Sequence, residues 1–527
     1  MPNLSRLQRQ ALGSFQEGHL DKAERLCGAI LEYRSDDFDA LHLLGLVHLH
    51  RQRPVEALGF LSKALRADPG SLDATSNFAL ALHAAGRFEE AIAQHRNALR
   101  LAPRHPEILY NLGNAFLELN RINEALASYD EVLAINPSHV GARVNRGNAQ
   151  LRLNRPADSL ASYDIALAVM PGHPQILTNR GHALRRLDRP HEALEDFKAA
   201  LAKARDFPEA HFESALARLT LGDFDAGWKA YEWRWKTGAF ADKRRPFRAP
   251  LWLGDRPVAD KTILLHAEQG FGDTIQFIRY APLLVERGAR VICEVQPALK
   301  SLLLPLEGIE VIARGDALPP FDLHCPLLSL PLAFGTRPET IPATACYLAA
   351  PAERIEHWRA RLPQDGPRAG FVWSGSPAHK NDASRSIPLV RLAALLESLP
   401  FACFSLQREW RDADRDTSRA VKNLVDLGPE LSDFADTAAV ISLLDVVVSV
   451  DTAVAHLAGA LGKPVVILLP HAADFRWMRG RSDTPWYPTA KLMRQPASGD
   501  WDSVIASLAG ELRGYGAGAK PDPLGFR

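Results

Sequence analysis

Asp451, Thr452 and His456 are residues of types, and at a spacing, that can hold a phosphate. They follow an unbroken apolar run, residues 446–450, and open a short helical stretch that stops at Gly462-Lys463-Pro464. A second apolar run, residues 465–469, comes next. Strand, helix, strand at this spacing is a βαβ unit, so the sheet is parallel. The three side chains then sit where the first strand's carboxyl end meets a helix N-terminus. Open α/β sheets bind ligands in that crevice, and the free amides of a helix N-terminus attract anions. The segment therefore predicts a site for a phosphorylated ligand.

Such a crevice needs a scaffold, and the second half of the chain supplies two sets of strands. Residues 262–268, 290–296, 309–313 and 321–328 read as strands, with a helix over 274–287. A charged stretch with prolines at both ends, residues 348–367, reads as an interdomain linker. The second set begins at 369–373 and continues with 402–406, 424–427, 446–450 and 465–469. Two α/β lobes joined by a linker leave a cleft where ligands commonly bind. Ahead of them, 243–252 is a basic, proline-punctuated connector.

The first half repeats every 34 residues. Gly45, Ala79, Gly113, Gly147, Gly181 and Ala215 keep that step, as do Ala23, Ala57, Ala91, Ala125, Ser159 and Ala193. Pro69, Pro103, Pro137 and Pro171 keep it too. Small residues at two fixed points let paired helices approach closely, and the proline ends the second helix of each pair. About six units run from residue 4 to roughly 207 by this period. A seventh, degenerate unit at 223–235 carries three tryptophans and reads as a capping helix against the next domain. Asn77, Asn111, Asn145 and Asn179 recur in phase on the first helix of each pair, with Asn114 and Asn148 as a partial second row. Two readings stay open. The amides hold an extended peptide backbone along the groove, or they bond to the neighbouring repeat.

Composition sets outer bounds. A chain of 527 residues exceeds one core and should form two to four domains. Lys+Arg and Asp+Glu are equal at 62 each, so no global field favours nucleic acid or an anionic membrane. The five cysteines (27, 293, 325, 346, 403) are scattered without a C-x-x-C pair, which indicates neither a zinc site nor a disulfide framework. Reduced thiols fit a cytoplasmic location. Residues 1–9 carry no apolar signal core, and no apolar run reaches transmembrane length. The tail from 516 to 527 reads as flexible.

These motifs resemble known families. The 34-residue period resembles the tetratricopeptide repeat. Glu268-Gln-Gly-Phe-Gly-Asp273 followed by Gln276-Phe277 resembles the first strand-loop-helix of glycosyltransferase family 9, which includes the bacterial lipopolysaccharide heptosyltransferases. The stretch from Ser449 to Pro464 resembles that family's donor-lobe motif. The likeness spans about 260–510 and implies the GT-B fold, with an N-terminal acceptor lobe and a C-terminal nucleotide-sugar lobe. Segments 373–376, 380–386, 474–477, 486–488 and 499–501 resemble the branch of the family that carries repeats. The heptosyltransferases proper have no repeats, so their acceptor does not carry over. The asparagine rows resemble the ladder of the eukaryotic protein O-linked N-acetylglucosamine transferase.

The expected architecture is an α-solenoid of tetratricopeptide repeats followed by an α/β GT-B module of two Rossmann-like lobes. The expected bounds are 1–241 for solenoid and cap, 242–350 for the acceptor lobe, 351–515 for the donor lobe and 516–527 for the tail. Asp273 is either an N-cap or the general base that takes the acceptor hydroxyl's proton, the role the resemblance implies. Gly270 and Gly272 make a tight turn or admit a ligand's close approach, and no third glycine completes a dinucleotide fingerprint. Lys380 and Arg385 are either surface charges or the cations that stabilise the departing phosphate. Asp451 caps its helix and Thr452 offers an amide and a hydroxyl to phosphate. His456 is either a phosphate partner or a histidine packed beside the sheet. Trp373 and Gln407 end donor-lobe strands and face the base or ribose. No Asp-x-Asp motif stands at a donor-lobe strand end, so neither metal nor cofactor is expected.

The implied activity is inverting transfer of a sugar from a nucleotide-activated donor to a protein Ser or Thr held by the groove. Flagellin is the acceptor suggested by bacterial proteins of similar organisation. Two alternatives stay open: a lipopolysaccharide or polysaccharide glycosyltransferase, and a non-catalytic repeat scaffold. Expected partners are the donor and the acceptor protein, with no nucleic acid and no integral membrane segment.

Overall fold

The computed structural model describes residues 4–342, 344, 346–363, 365–378 and 381–516. The chain forms two compact units, Met1–Ala183 and Leu184–Arg527.

The first unit is a run of antiparallel helix pairs, beginning with Leu4–Gln16 and Leu20–Tyr33 and reaching Val140–Arg152 and Pro156–Val169. The turn inside each pair needs one left-handed residue. Gly18, Gln52, Gly86, Asn120 and Asn154 all have φ between +56° and +79° and stand 34 residues apart. Glycine and asparagine are the residues that tolerate this conformation most readily. The small residues do what their period predicts. A Cβ on Gly147 would lie 2.6 Å from the ring of Tyr163, and one on Gly113 would lie 2.6 Å from Tyr129. Both rings are fully buried, so each glycine makes room for a large side chain sixteen residues on.

The two asparagine rows bond to one another. Asn145 donates to Asn114 Oδ1 at 2.8 Å, and Asn179 to Asn148 Oδ1 at 3.2 Å. The same acceptors take the hydroxyls of Tyr129 (2.7 Å) and Tyr163 (2.6 Å). Asn77 pairs with His42 at 2.8 Å. Asn111 has no side-chain hydrogen bond to another described residue. The position 31 residues before it, where Asn145 and Asn179 find an asparagine, holds Leu80. Of the two readings of these rows, the bonds seen are those between repeats.

The second unit opens with the helices Pro190–Lys203, Pro208–Thr220 and Phe224–Tyr231. The turns before the first and third of these keep the period, with Asp188 at φ 56° and Gly222 at φ 84°. The seventh pair is therefore complete, with a shortened second helix. Trp228 on that helix is buried edge-on against Phe277 and Phe475, at 6.2 and 5.8 Å between ring centroids. Arg234, fully buried just beyond it, donates to Glu268 (3.0 Å), Ser329 (2.7 Å) and Glu232 (2.6 Å). These contacts explain why helices that belong to the repeat by sequence count with the α/β part by packing.

Two parallel sheets follow. The first holds β1 (Thr262–His266), β2 (Arg290–Val295), β3 (Ile309–Ala313) and β4 (Leu323–Pro326) in the order β3-β2-β1-β4. The second holds β5 (Arg368–Val372), β6 (Ala402–Ser405), β7 (Leu424–Asp426), β8 (Val446–Val450), β9 (Val465–Leu469) and β10 (Ala490–Arg494). Its order is β10-β9-β8-β5-β6-β7. Read from the other edge this is 3-2-1-4-5-6, the doubly wound order of dinucleotide-binding sheets. The strands β8 and β9 are buried throughout, as parallel strands covered on both faces must be. The stretch expected as a linker contains a helix, Ala352–Arg359. Its Trp358 is buried and donates to Asp436 at 3.2 Å, so the connection is packed down.

Candidate functional site

In a doubly wound sheet the crevice lies where the strand order reverses, outside the carboxyl ends of the two central strands. Here those strands are β5 and β8, paired with Phe371 opposite Val448 and Val372 opposite Ser449. β5 runs out into Trp373-Ser-Gly375 and β8 into Asp451-Thr452. The helix Ala453–Ala460 then begins, with Thr452 as its N-cap in extended conformation. The Thr452 hydroxyl does not cap the helix but lies 3.0 Å from the Ser449 hydroxyl, and the cap is Thr452, not Asp451 as expected.

Arg385 reaches into this crevice. It lies at the end of the short helix Asp382–Arg385 and donates to the Asp451 carbonyl at 2.7 Å. Gly375 has no side chain because the Arg385 guanidinium occupies that space; a Cβ would lie 2.4 Å from it. Asp382 anchors the same loop through Arg411 and through Ser386 at 2.8 Å. Lys380 lies outside the described residues. Trp373 and Gln407 are buried and turned inward. The Trp373 indole donates to Asp414 at 3.0 Å, while Gln407 accepts from the Ser374 amide at 3.2 Å and donates to the Glu409 carbonyl at 2.9 Å. Their polar atoms are thus spent on the walls of the crevice.

His456 is buried one turn into the helix. Its Nδ1 lies 2.8 Å from the Tyr487 hydroxyl, its ring stacks on Trp477 at 5.2 Å, and its Nε2 faces Asp451 at 3.9 Å. Burial and the nearby Arg476 charge push its pKa down to about 3, so the ring is neutral at ordinary pH. Asp451 is pushed the other way, to about 6, by burial and by the neighbouring Asp474 carboxylate.

The first sheet brings its own turn to the same place. Gly270 caps the helix Phe271–Phe277, so Asp273 is in its first turn rather than at its cap. The Asp273 carboxylate accepts the Gly270 amide at 2.8 Å. Gly272 makes a close approach between the lobes. A Cβ there would lie 2.7 Å from the His456 ring, and the Ala453 Cα is 3.5 Å away. Across this contact Arg476 donates to Asp273, to Gln276 at 2.8 Å and to Asp474 at 2.7 Å.

The structure therefore collects Gly270, Gly272, Asp273, Arg385, Asp451, Thr452 and His456 into one cluster. Arg476 and Asp474 belong to it as well and carry no assigned role in the sequence reading. The only signal for them is their place in the 474–477 segment, where resemblance gave no function. Among the described residues, no group of three or more His, Cys, Asp or Glu is placed to hold a metal ion. Likewise, no described helix is long and apolar enough to cross a membrane.

Fold and site together define a helical-repeat chain joined to a doubly wound α/β module with a polar crevice at its switch point. Comparison with known proteins gives this class its family terms. The chain carries tetratricopeptide repeats, matched at 77–140, 112–174, 144–189 and 178–232, and a C-terminal region of glycosyltransferase family 9 (heptosyltransferase), matched at 408–493. Residues 16–98 match the family of anaphase-promoting complex, cyclosome, subunit 3. The chain is 26% identical over 347 residues to Protein FlbA of Caulobacter vibrioides, covering 59% of this chain and 56% of that one. It thus spans little more than half the length of that curated relative. Among solved structures, a tetratricopeptide repeat protein from Parabacteroides merdae is similar at 17% identity and a TM-score of 0.40, over 45% of this chain and 96% of that one. YrrB, described as a repeat protein with an unusual peptide-binding site, matches at 20% identity and a TM-score of 0.30, over 35% of this chain and 95% of its own.

Proposed function

We propose that the protein is a GT-B glycosyltransferase that moves a sugar from a nucleotide-activated donor to a Ser or Thr hydroxyl of a protein bound through the repeats. The observation that carries this reading is the switch point of the second sheet. There the Thr452 hydroxyl, the first amides of Ala453–Ala460 and the Arg385 guanidinium converge beside a carboxylate, Asp273, from the other lobe. Preorganised donors of this kind are suited to a diphosphate leaving group. Lys380 would add a second cation from the same loop. Trp373 and Gln407 support the loop rather than touch the sugar. Asp273 would take the acceptor hydroxyl's proton as that oxygen attacks the anomeric carbon. The C–O bond to the phosphate breaks on the opposite face, so the centre inverts. No divalent ion is needed where the helix amides and Arg385 carry the charge. The location is cytoplasmic and flagellin is the candidate acceptor.

Calorimetric titration with UDP, GDP, ADP, CDP and their sugar conjugates tests the donor half. One nucleotide family should bind, and Arg385→Ala should weaken it by tenfold or more. A folded protein that binds none of them is not this enzyme. A second reading gains weight from the asparagine rows, whose amides at 145 and 179 are spent between repeats. In it the acceptor is a glycan or glycolipid and the repeats serve assembly. Labelled-sugar transfer into protein or into lipid extracts separates the two.

A further inference from the structure

Residues 188–234, the end of the repeat, reach both sides of the crevice from within the second compact unit. On the first-lobe side they hold the loop from Glu268 to Asp273 at two consecutive residues. Arg234, fully buried, donates to the Glu268 carboxylate from Nε at 3.0 Å and from Nη2 at 2.9 Å. The Tyr231 hydroxyl accepts from the Gln269 side-chain amide at 3.0 Å. On the second-lobe side they hold the segment from Phe475 to Arg479 at three points. The Phe475 ring packs against Trp228 and Tyr231, at 5.8 and 6.0 Å between centroids. A Cβ on Gly222 would lie 3.0 Å from the Met478 methyl. Asp188 pairs with Arg479 at 2.8 Å. That segment carries Arg476, bonded across to Gln276 of the first lobe, and Trp477, stacked on His456 at 5.2 Å. Asp188 and Gly222 are the left-handed turn residues of their helix pairs, so the repeat period itself sets where these contacts fall. Tyr231 serves both sides: its hydroxyl holds the first-lobe loop and its ring packs on the second-lobe segment.

We infer that Tyr231 and Arg234 are positioning residues of the transfer reaction, through which the end of the repeat fixes the Asp273 loop and the Arg476 segment against each other. Buried polar networks whose members are bonded are rigid. Rigidity matters here because a misplacement of about 1 Å at a reacting centre can cost roughly 10²-fold in rate. The transferase module then begins inside the repeats and not at the connector 243–252. The donor contacts have their own supports: Arg385 is held on the Asp451 carbonyl and Thr452 lies against Ser449. Loss of the brace should therefore show in turnover and not in donor affinity. The inference rests on the donor-site reading above.

Tyr231→Phe in the full chain is the first test, because it removes one hydroxyl and keeps the ring. Amide hydrogen exchange should quicken over residues 268–273 and stay at the wild-type rate in β1. Affinity for whichever of UDP, GDP, ADP or CDP the wild type binds should stay within about twofold, while release of that diphosphate from its sugar conjugate falls about tenfold, part of what a 1 Å displacement costs. A second pair of variants covers Arg234. Arg234→Met strands the buried Glu268 carboxylate and should lower the melting temperature. Adding Glu268→Gln removes the stranded charge, and should restore the melting temperature but not the turnover. Unchanged exchange over 268–273 in Tyr231→Phe overturns the brace, whatever the turnover. So does wild-type turnover in Tyr231→Phe, a turnover loss no larger than the affinity loss, or turnover that recovers with stability in the double variant. A folded wild type that binds none of the four diphosphates overturns the donor-site reading, and this inference with it.

Discussion

The asparagine rows and the α/β crevice are both clusters of half-buried polar side chains, and they differ in how those groups are partnered. In the repeats, interior amides meet neutral neighbours at ordinary distance. Asn145, for example, donates to Tyr110 and Asn114 and accepts from Asn148. In the crevice the groups are charged and drawn from both lobes, with Arg476 paired to Asp273 and Asp474 and Arg385 held on the Asp451 carbonyl beside a helix N-terminus. Satisfied neutral networks rigidify a scaffold, whereas buried titratable groups with shifted pKa values, such as Asp451 and His456, mark a candidate functional site. The first pattern belongs to something that must hold a shape, the second to something built to meet a charged ligand.

The largest effect expected from breaking this contrast is at Asp273. Under the proposed reaction, Asp273→Asn should reduce sugar transfer by about 10²–10⁴-fold, the usual worth of a positioned general base. Its melting temperature should stay close to wild type, because Asp474 still pairs Arg476. Transfer at the wild-type rate would place the base elsewhere.

In the repeats the strongest lever is packing. Gly147→Ala puts a methyl 2.6 Å from a buried tyrosine ring. The overpacking cost is about 1–3 kcal/mol, which should outweigh the ~1 kcal/mol helix-propensity gain of alanine. Gly59→Ala is the control. Nothing lies within 4 Å of its Cβ position, so it should stabilise the repeats. Chemical denaturation of the two variants should move in opposite directions.

The polar rows offer a finer cut. Asn145→Ala removes the partner of Tyr110, Asn114 and Asn148 together and should cost about 1–2 kcal/mol, the range for stranding part-buried polar groups. Asn111→Ala should cost under about 0.5 kcal/mol, the range of an ordinary surface change. If the groove grips an acceptor through amides, Asn111, which has no side-chain hydrogen bond to another described residue, is the candidate to do so, and its loss should raise the acceptor KM without moving stability. A stability loss equal to that of Asn145→Ala would show that the two positions do the same work.

Much of this was legible in the sequence, and the gaps have physical causes. Strands β8 and β9 coincide with their expected runs because parallel strands covered on both faces read as unbroken apolar stretches. β10 escaped because it lies at the sheet edge, where Lys491 and Arg494 interrupt the pattern. The repeat period fixed where the small residues and turns fall. It did not say what the asparagines bond to, since that depends on how successive pairs stack. The crevice residues Asp451 and Thr452 were visible because strand, turn and helix are contiguous. The pairing of Asp273 with Arg476 was not, because it joins residues 203 positions apart and neither motif points to the other.

An effect visible only through pH also separates the two regions, through histidine. His95 takes the place in its repeat that Tyr129 and Tyr163 take in theirs, fully buried, with neither ring nitrogen hydrogen-bonded to a described residue. Burial pushes its pKa down to about 4 from the ordinary 6.5. His456, in the second compact unit, is also held neutral but has Tyr487 on one nitrogen. The unfolded chain binds a proton at each site below about pH 6.5, while the folded protein does not until far lower. Stability is therefore fully present above 6.5 and falls as pH drops toward the folded values. Between about pH 7 and 5.5 each site should lose about 1 kcal/mol, since a tenfold difference in proton affinity is worth ~1.36 kcal/mol. Leu61 fills the position one repeat before His95, so His95→Leu is the compatible replacement, and it should reduce that slope for Met1–Ala183 alone, leaving the part due to His42, His48 and His83, whose pKa values burial also lowers. Hydrogen exchange resolved by segment at the two pH values would show it. An unchanged slope in the repeats would mean that His95 finds water or a partner in solution, and that the repeat interior is less dry than its packing implies.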